Sequence, residues 1–320
     1  PRKEWEGILA KKNLSEITLR DRYSGVVHLL TAADGAPEHY SGDGNPARLE
    51  STMEDAIKAD TRTRNAWLGH PRFVVVDNST CFEEKIKKTL NIILHHLGYP
   101  AQVGEERRFL VRDVDFDAMP EHRKIEIEQT YLTMRTAGQE TRLKRRGQDG
   151  SCMYFIVRRD LTAKRGGGFP REEEEIISRE DYSKLLGMKD SRLNPVVKER
   201  FCFVWKNSHF ELDFYKRRNQ GLVILETGLM GHDAPLPPFV EVGEEITGNR
   251  EYVGKRLASR KTRSVHKPVT TRPAEKELPL EAAGKVSGDA DVTEATVIPL
   301  QRSADTSPEE AQVALGHGGP

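Results

Sequence analysis

The chain has no net charge, no paired cysteines and no long apolar run. Its 50 basic residues balance 50 acidic ones, a formal net charge of zero at pH 7. That balance argues against a bulk electrostatic partner such as duplex DNA, whose binding draws on an excess of Lys and Arg. Only three cysteines occur, Cys81, Cys152 and Cys202, scattered and without metal-type spacing. Such usage predicts free thiols in a reducing cytosol. No stretch approaches the ~20 apolar residues of a membrane helix, and no signal peptide is visible. Hydrophobic residues make up 36% and charged residues 31% of the 320. That proportion is low for a fully packed chain, so part of it is expected to be disordered. The first residue is Pro1 rather than methionine, which leads to the expectation of a truncated chain.

What the sequence does have is charge that alternates with aromatics. Lys198 to Tyr215 reads KERFCFVWKNSHFELDFY. This predicts two strands around an Asn207-Ser208 turn. Residues two apart share a strand face. One face therefore carries Phe201, Phe203, Trp205, Phe210, Leu212 and Phe214. The other carries Lys198, Arg200, Glu211, Asp213 and Tyr215. Similar spacing recurs at Arg142 and Lys144, and at Arg171, Glu173 and Glu175. Tyr154, Ile156 and Arg158 share one face, with Met153, Phe155 and Val157 on the other, and Leu222 to Leu225 is an apolar run ending at Glu226. A curled sheet would gather these charges in a polar tunnel, its aromatic face covered by helices. Cations there would hold phosphate oxygens, and carboxylates a divalent metal. Arg145, Arg146, Arg217 and Arg218 are expected to face solvent.

The ordered set Arg142-x-Lys144, Arg171-x-Glu173-x-Glu175, Lys198-x-Arg200, Glu211-x-Asp213 and Gly221-Leu222…Glu226 resembles the CYTH superfamily, the triphosphate tunnel fold. That superfamily includes thiamine triphosphatases and class IV adenylyl cyclases. The resemblance implies phosphate-binding cations at Arg108, Arg142, Lys144, Arg158, Arg171, Lys198 and Arg200. It implies a Mg²⁺ or Mn²⁺ site drawn from Glu106, Glu173, Glu175, Glu211, Asp213 and Glu226. The family's opening strand carries Glu-x-Glu-x-Lys, where this chain has Gly104, Glu106 and Arg108, unless a one-residue slip brings in Glu105. Gly228 stands where a second late carboxylate is usual. With cations kept and acids thinned, such a tunnel binds anions better than it cleaves them, and no catalytic residue is assigned.

Residues 1–100 alternate apolar strand and amphipathic helix, the pattern of a parallel α/β sheet. Helices are expected over Trp5–Leu19, within Asn45–Trp67 and over Phe82–Leu97, with buried strands at Val26–Leu30 and Phe73–Val76. HLLTAADGA, ADTRTRNAWLGHP and FVVVDNST resemble the NadR-like AAA P-loop domain that precedes a CYTH-like domain in the TRPL translocation defect protein family. This family resembles guanine-nucleotide and phosphoinositide binders of endocytic trafficking. No GxxxxGK[ST] occurs in the chain, so GTP or ATP binding is expected only in a longer parent carrying that loop. Arg48, Arg62 and Arg64 are either lid arginines over phosphates or a solvated helix face. Asp77 and Asn78 end a strand where α/β folds place ligands, and Asn78 either contacts a base or caps the next helix.

The expected architecture is a partial P-loop α/β domain over 1–100, an antiparallel CYTH-like β-barrel with outer helices over 101–258, and a disordered tail over 259–320. Gly166-Gly167-Gly168 is expected in a mobile loop. The basic run Arg260 to Arg272 is either a linker or a peripheral contact with phosphoinositide membranes. The leading expectation is a cytoplasmic protein that binds a phosphate-rich small ligand, with no nucleic-acid partner. The alternative is a Mg²⁺- or Mn²⁺-dependent triphosphate hydrolase. A nucleoside or nicotinamide riboside kinase is a weaker third, for which this stretch lacks the phosphate loop.

Overall fold

The computed structural model describes residues 2–41, 50–104, 106–133, 138–161, 172–229 and 234–259. The readings at Arg48, Glu105, Arg171, the triple glycine and the chain beyond 259 lie outside them.

The expected first helix divides in two, α1 (Arg2–Lys11) and α2 (Glu16–Arg20). Asn13 breaks it with a φ of 51°, and Ser15 starts α2 through a reciprocal cap with Thr18. Strand β1 (Val26–Leu29) pairs in parallel with β2 (Phe73–Val76), Val26 opposite Phe73. Between them α3 (Met53–Ala66) begins at the Thr52 cap. After β2, α4 (Phe82–His96) ends before Gly98, whose φ of 81° suits a helix stop. The expected strand–helix–strand–helix order is therefore present as a two-stranded parallel sheet.

The remaining strands are β3 (Arg108–Val114), β4 (His122–Tyr131), β5 (Gln139–Gln148), β6 (Ser151–Asp160), β7 (Glu172–Ile177), β8 (Val196–Trp205), β9 (Ser208–Tyr215), β10 (Val223–Thr227) and β11 (Val240–Glu245). Helix α5 (Arg179–Leu186) follows β7 and starts at Ser178, whose side chain accepts from the Asp181 amide. Helix α6 (Gly254–Ala258) follows β11. The nine strands form one antiparallel sheet in the order β11-β3-β10-β9-β8-β4-β5-β6-β7. The expected barrel is not closed: β11 and β7 are edges, with no pairing between them among the described residues. Closure requires the edge strands to hydrogen-bond to one another.

The β8–β9 hairpin turns at Lys206-Asn207, both with positive φ (44° and 60°), one residue before the expected pair. Positive φ at both turn residues gives the twist that antiparallel strands favour. Pairing Phe201 with Leu212 and Phe203 with Phe210 keeps the aromatics on one face. That face is not covered by helices, as expected, but by loop residues Phe116, Met119, Leu236 and Phe239. Phe203 and Phe210 stack with ring centroids 5.6 Å apart.

The opposite, polar face is covered from within the chain. Ile17 of α2 packs on Met153, Phe155 and Val157 of β6. Leu68 and Phe73 pack on Val204. At the other end, Leu257 and Ala258 of α6 pack with Tyr131, Val196, Tyr215, Leu222 and Ile224. Polar groups between these patches are thus held in a partly dry setting.

Candidate functional site

The charged residues of the polar face fall into two groups. The first lies on β8, β9, β10 and β3 with its preceding segment. Register sets it: Arg200 opposes Asp213, Glu211 opposes Glu226, and Glu226 opposes Arg108. Arg200 is the hub. Its Nε donates to Asp213 Oδ1 at 2.7 Å and its Nη2 to Asp213 Oδ2 at 2.7 Å and Glu226 Oε2 at 3.0 Å. Its Nη1 donates to Glu211 Oε2. Lys198 donates to Asp213 Oδ2, and Arg108 Nε to Glu226 Oε1 at 2.7 Å.

Asp213 is fully buried. Burial alone would raise its pKa, but Arg200 and then Lys198 outweigh burial and hold it down at about 2. Glu106 lies at the solvent-exposed rim of the group. Desolvation of its carboxyl, then repulsion from Glu211 and Glu226, pushes it up to about 7, a rise that solvent at the rim moderates. Desolvation also raises Glu211, with Arg200 opposing. The group contains three cations, Arg108, Lys198 and Arg200, and four carboxylates, Glu106, Glu211, Asp213 and Glu226. A shared set of this kind can hold a divalent cation through crowded carboxylates and an anion through the cations.

The second group joins β5 to β7. Arg142 Nη2 donates to Glu172 at 2.6 Å, and Lys144 Nζ to Glu174 at 2.9 Å. On the sheet it is separated from the first group by β4, which presents Ile125, Ile127 and Gln129 to the same face. Lys255 of α6 reaches Glu140 at 2.9 Å, and Glu140 lies 4.0 Å from Arg142 of the second group.

Three expected site residues point elsewhere. Register places Arg158, Glu173 and Glu175 on the face opposite Lys144 and Lys198. Arg158 instead pairs with Glu175 at 2.8 Å, where Glu173 and Glu175 are exposed. The physical reason is parity: Arg142 opposes Val157, and Val157 opposes Glu174, so the even-numbered acids of β7 join the cations. For the same reason Met153, Phe155 and Val157 share the polar face, and Tyr154 and Ile156 do not. Arg146 is not solvent-facing either. It is 2% exposed, and its Nε donates to Asp21 at 2.9 Å.

The N-terminal candidates do not converge. Arg62 is exposed. Arg64 Nη1 donates to Asn207 Oδ1 at 3.2 Å in the β8–β9 turn. Asp77 accepts from the Ser79 amide and hydroxyl. Asn78 neither caps α4 nor stands open to a base. It donates to the carbonyls of Thr31 and Asp34 and accepts from Lys85, tying the loop after β1 to α4.

Sequence reasoning also passed over His209 and Cys202. Both lie on the polar face and both are buried. His209 precedes Glu211 by two residues, a spacing that carries this placement once the hairpin is recognised.

No protein-family model matches the chain, and no curated protein matches it. Solved structures do. The inorganic triphosphatase NE1496 is 27% identical over 48% of this chain and 97% of its own, with a TM-score of 0.36. A second crystal structure of NE1496, described as a hypothetical protein, is 26% identical over 49% of this chain and 97% of its own, with a TM-score of 0.37. The PH1819 protein of Pyrococcus horikoshii OT3 is 20% identical over 38% of this chain and 77% of its own, with a TM-score of 0.29. Among the described residues, no helix is long and apolar enough to cross a membrane.

Proposed function

We propose that this chain binds a triphosphate-like anion on the polar face of its sheet and hydrolyses it with Mg²⁺ or Mn²⁺. The observation that carries the reading is the convergence of Arg108, Lys198 and Arg200 with Glu106, Glu211, Asp213 and Glu226. Glu106, Glu211 and Glu226 fit a hard divalent ion. They are oxygen donors, and Glu106 is raised first by desolvation and then by the charges of Glu211 and Glu226; a cation relieves the repulsive part. When bound, the metal supplies charge neutralisation and polarises the phosphate. Arg108, Arg200 and Lys198 would hold the terminal phosphate oxygens, and Asp213 orients Lys198 and Arg200. Arg200 now serves three carboxylates, so anion binding requires it to exchange partners.

A second reading, binding without turnover, is favoured by Gly104 and Gly228. A Cβ at Gly228 would stand 3.1 Å from the His209 carbonyl oxygen and 3.2 Å from its Cβ. A carboxylate is therefore not readily restored there, because the strand must shift first. Under this reading the ligand is a nucleotide or phosphoinositide head group, in keeping with the resemblance to a trafficking factor. Phosphate release from inorganic triphosphate decides. The hydrolase reading expects Mn²⁺- or Mg²⁺-dependent turnover of about 1 per second or faster. Lys198→Ala and Arg200→Lys are each expected to weaken triphosphate binding at least tenfold. Calorimetric binding of triphosphate without turnover would leave the binder reading.

The hydrolase reading also expects a pH-dependent metal affinity. Below the raised pKa of Glu106 the metal must displace its proton, so Mn²⁺ affinity should fall by up to about tenfold per pH unit as pH drops through that range and level off above it. Mn²⁺ titrations at pH 6 and pH 8 followed by electron paramagnetic resonance measure this. Glu106→Gln is expected to flatten the profile, and an equally steep profile in that variant would assign the proton elsewhere.

A further inference from the structure

We propose that Cys202, His209 and Glu211 form a site for a thiophilic divalent metal of the Zn²⁺ type. It goes beyond the triphosphate reading: it shares Glu211 with the hard-oxygen donors of that reading and adds Cys202 and His209, which that reading does not use.

The hairpin register builds the site. Cys202 lies directly opposite Glu211, and His209 precedes Glu211 by two residues, so all three share the polar face at adjacent pleats. Their donor atoms lie within 4.8 Å of one another. A tetrahedral Zn²⁺, with Zn–S of about 2.3 Å and Zn–N or Zn–O of about 2.0 Å, spaces its ligands by about 3–4 Å. The register fixes both strands, so closing that difference on binding falls to side-chain rotation.

A second observation points to a ligand. His209 is 6% exposed, and its Nε2 is buried with no hydrogen-bond partner among the described residues. A buried ring nitrogen left bare is costly, and native interiors rarely tolerate one. A metal bond would satisfy it. The neighbouring walls are apolar: the Phe73 ring meets the imidazole edge-on at 5.3 Å, and Val204 lies opposite His209 across the hairpin. The absent side chain at Gly228 leaves room for the ring, whose Nδ1 lies 3.4 Å from the Cβ that Gly228 lacks.

The donor set fits a borderline-soft ion rather than Mg²⁺, which takes oxygen ligands. Arg200 engages Oε2 of Glu211, which assigns Oε1 to the metal. Binding displaces the Cys202 thiol proton to solvent, so the ion and thiolate together add one positive charge. That charge offsets the one-carboxylate surplus of the adjoining group. Three protein ligands leave a fourth position for water or a ligand oxygen, the arrangement of a reactive rather than a closed structural site.

Cobalt(II) titration of the full chain, after dialysis against a chelator, tests the proposal. The expected result is a thiolate-to-cobalt charge-transfer band saturating at one equivalent and abolished by Zn²⁺. Cys202→Ser should remove the band, and His209→Gln should weaken cobalt affinity at least tenfold. The double variant Cys81→Ser/Cys152→Ser should keep the band, which assigns it to Cys202 even if Cys202→Ser fails to fold. A folded wild-type chain without the band, or a band lost in the double variant, overturns the site. Mg²⁺-dependent triphosphate turnover is measured separately on the wild type, and its absence leaves the cobalt result standing.

Discussion

Replacing Asp213 by asparagine is expected to cost about 3–5 kcal/mol of folding stability, because it leaves buried cations without their carboxylate. Asp213 is fully buried and accepts from both Lys198 and Arg200. Arg200 retains Glu211 and Glu226, so Lys198 bears most of the loss. Urea unfolding measures the change, and adding Lys198→Met to Asp213→Asn should recover a large part of it. A loss under about 1 kcal/mol in the single variant would show that solvent reaches Lys198. The pH dependence has a definite sign. The folded carboxyl sits at about 2, below the ordinary 3.8. Its contribution is therefore fully present above about pH 4 and lost as pH falls through about 2. A depression of this size corresponds to about 2 kcal/mol at most, and Asp213→Asn should remove that component of the acid transition.

The second large effect is expected at Asp21. Its side chain is fully buried and accepts from Arg20 Nε at 2.8 Å and Arg146 Nε at 2.9 Å. Arg20 also donates to the Leu68 carbonyl and Gln148, and Arg146 to the Gly69 carbonyl. Asp21→Asn leaves two buried guanidiniums with no hydrogen-bonded carboxylate among the described residues, again a loss of about 3–5 kcal/mol. Here the damage should also be local. The α2 segment is held to β5 and β6 by this network and by Ile17. Limited proteolysis should cut near residues 21–25 sooner in the variant than in the wild type. Equal cutting rates would mean that Ile17 packing alone holds the segment.

Much of this arrangement was legible in the sequence, and the exceptions have identifiable causes. The β8–β9 hairpin was readable because its aromatics and charges alternate without interruption. Strands β1 and β2 were readable because each is a short apolar run closed by polar turn residues. Strand β6 was not, because Met153, Tyr154, Phe155, Ile156 and Val157 are apolar on both faces and carry no parity signal. Strand β7 has four successive acids, Glu172 to Glu175, so either alternate pair satisfies the same spacing. Only the register with β6 selects Glu172 and Glu174. The cover over the polar face was invisible for another reason. It depends on contacts such as Asp21 to Arg146, and no local pattern announces a partner so far along the chain.

That separation has a consequence for how the protein is made. Asp21 and Arg146 are 125 residues apart. At a synthesis rate of about 5–20 residues per second, the α2 segment leaves the ribosome on the order of ten seconds before its partner strand exists. Ile17, Leu68 and Phe73 must spend that interval without β6 and β8 to cover them. A segment made well before its partners is thus placed only after them, and a nascent chain stalled before β5 is a natural client for a chaperone.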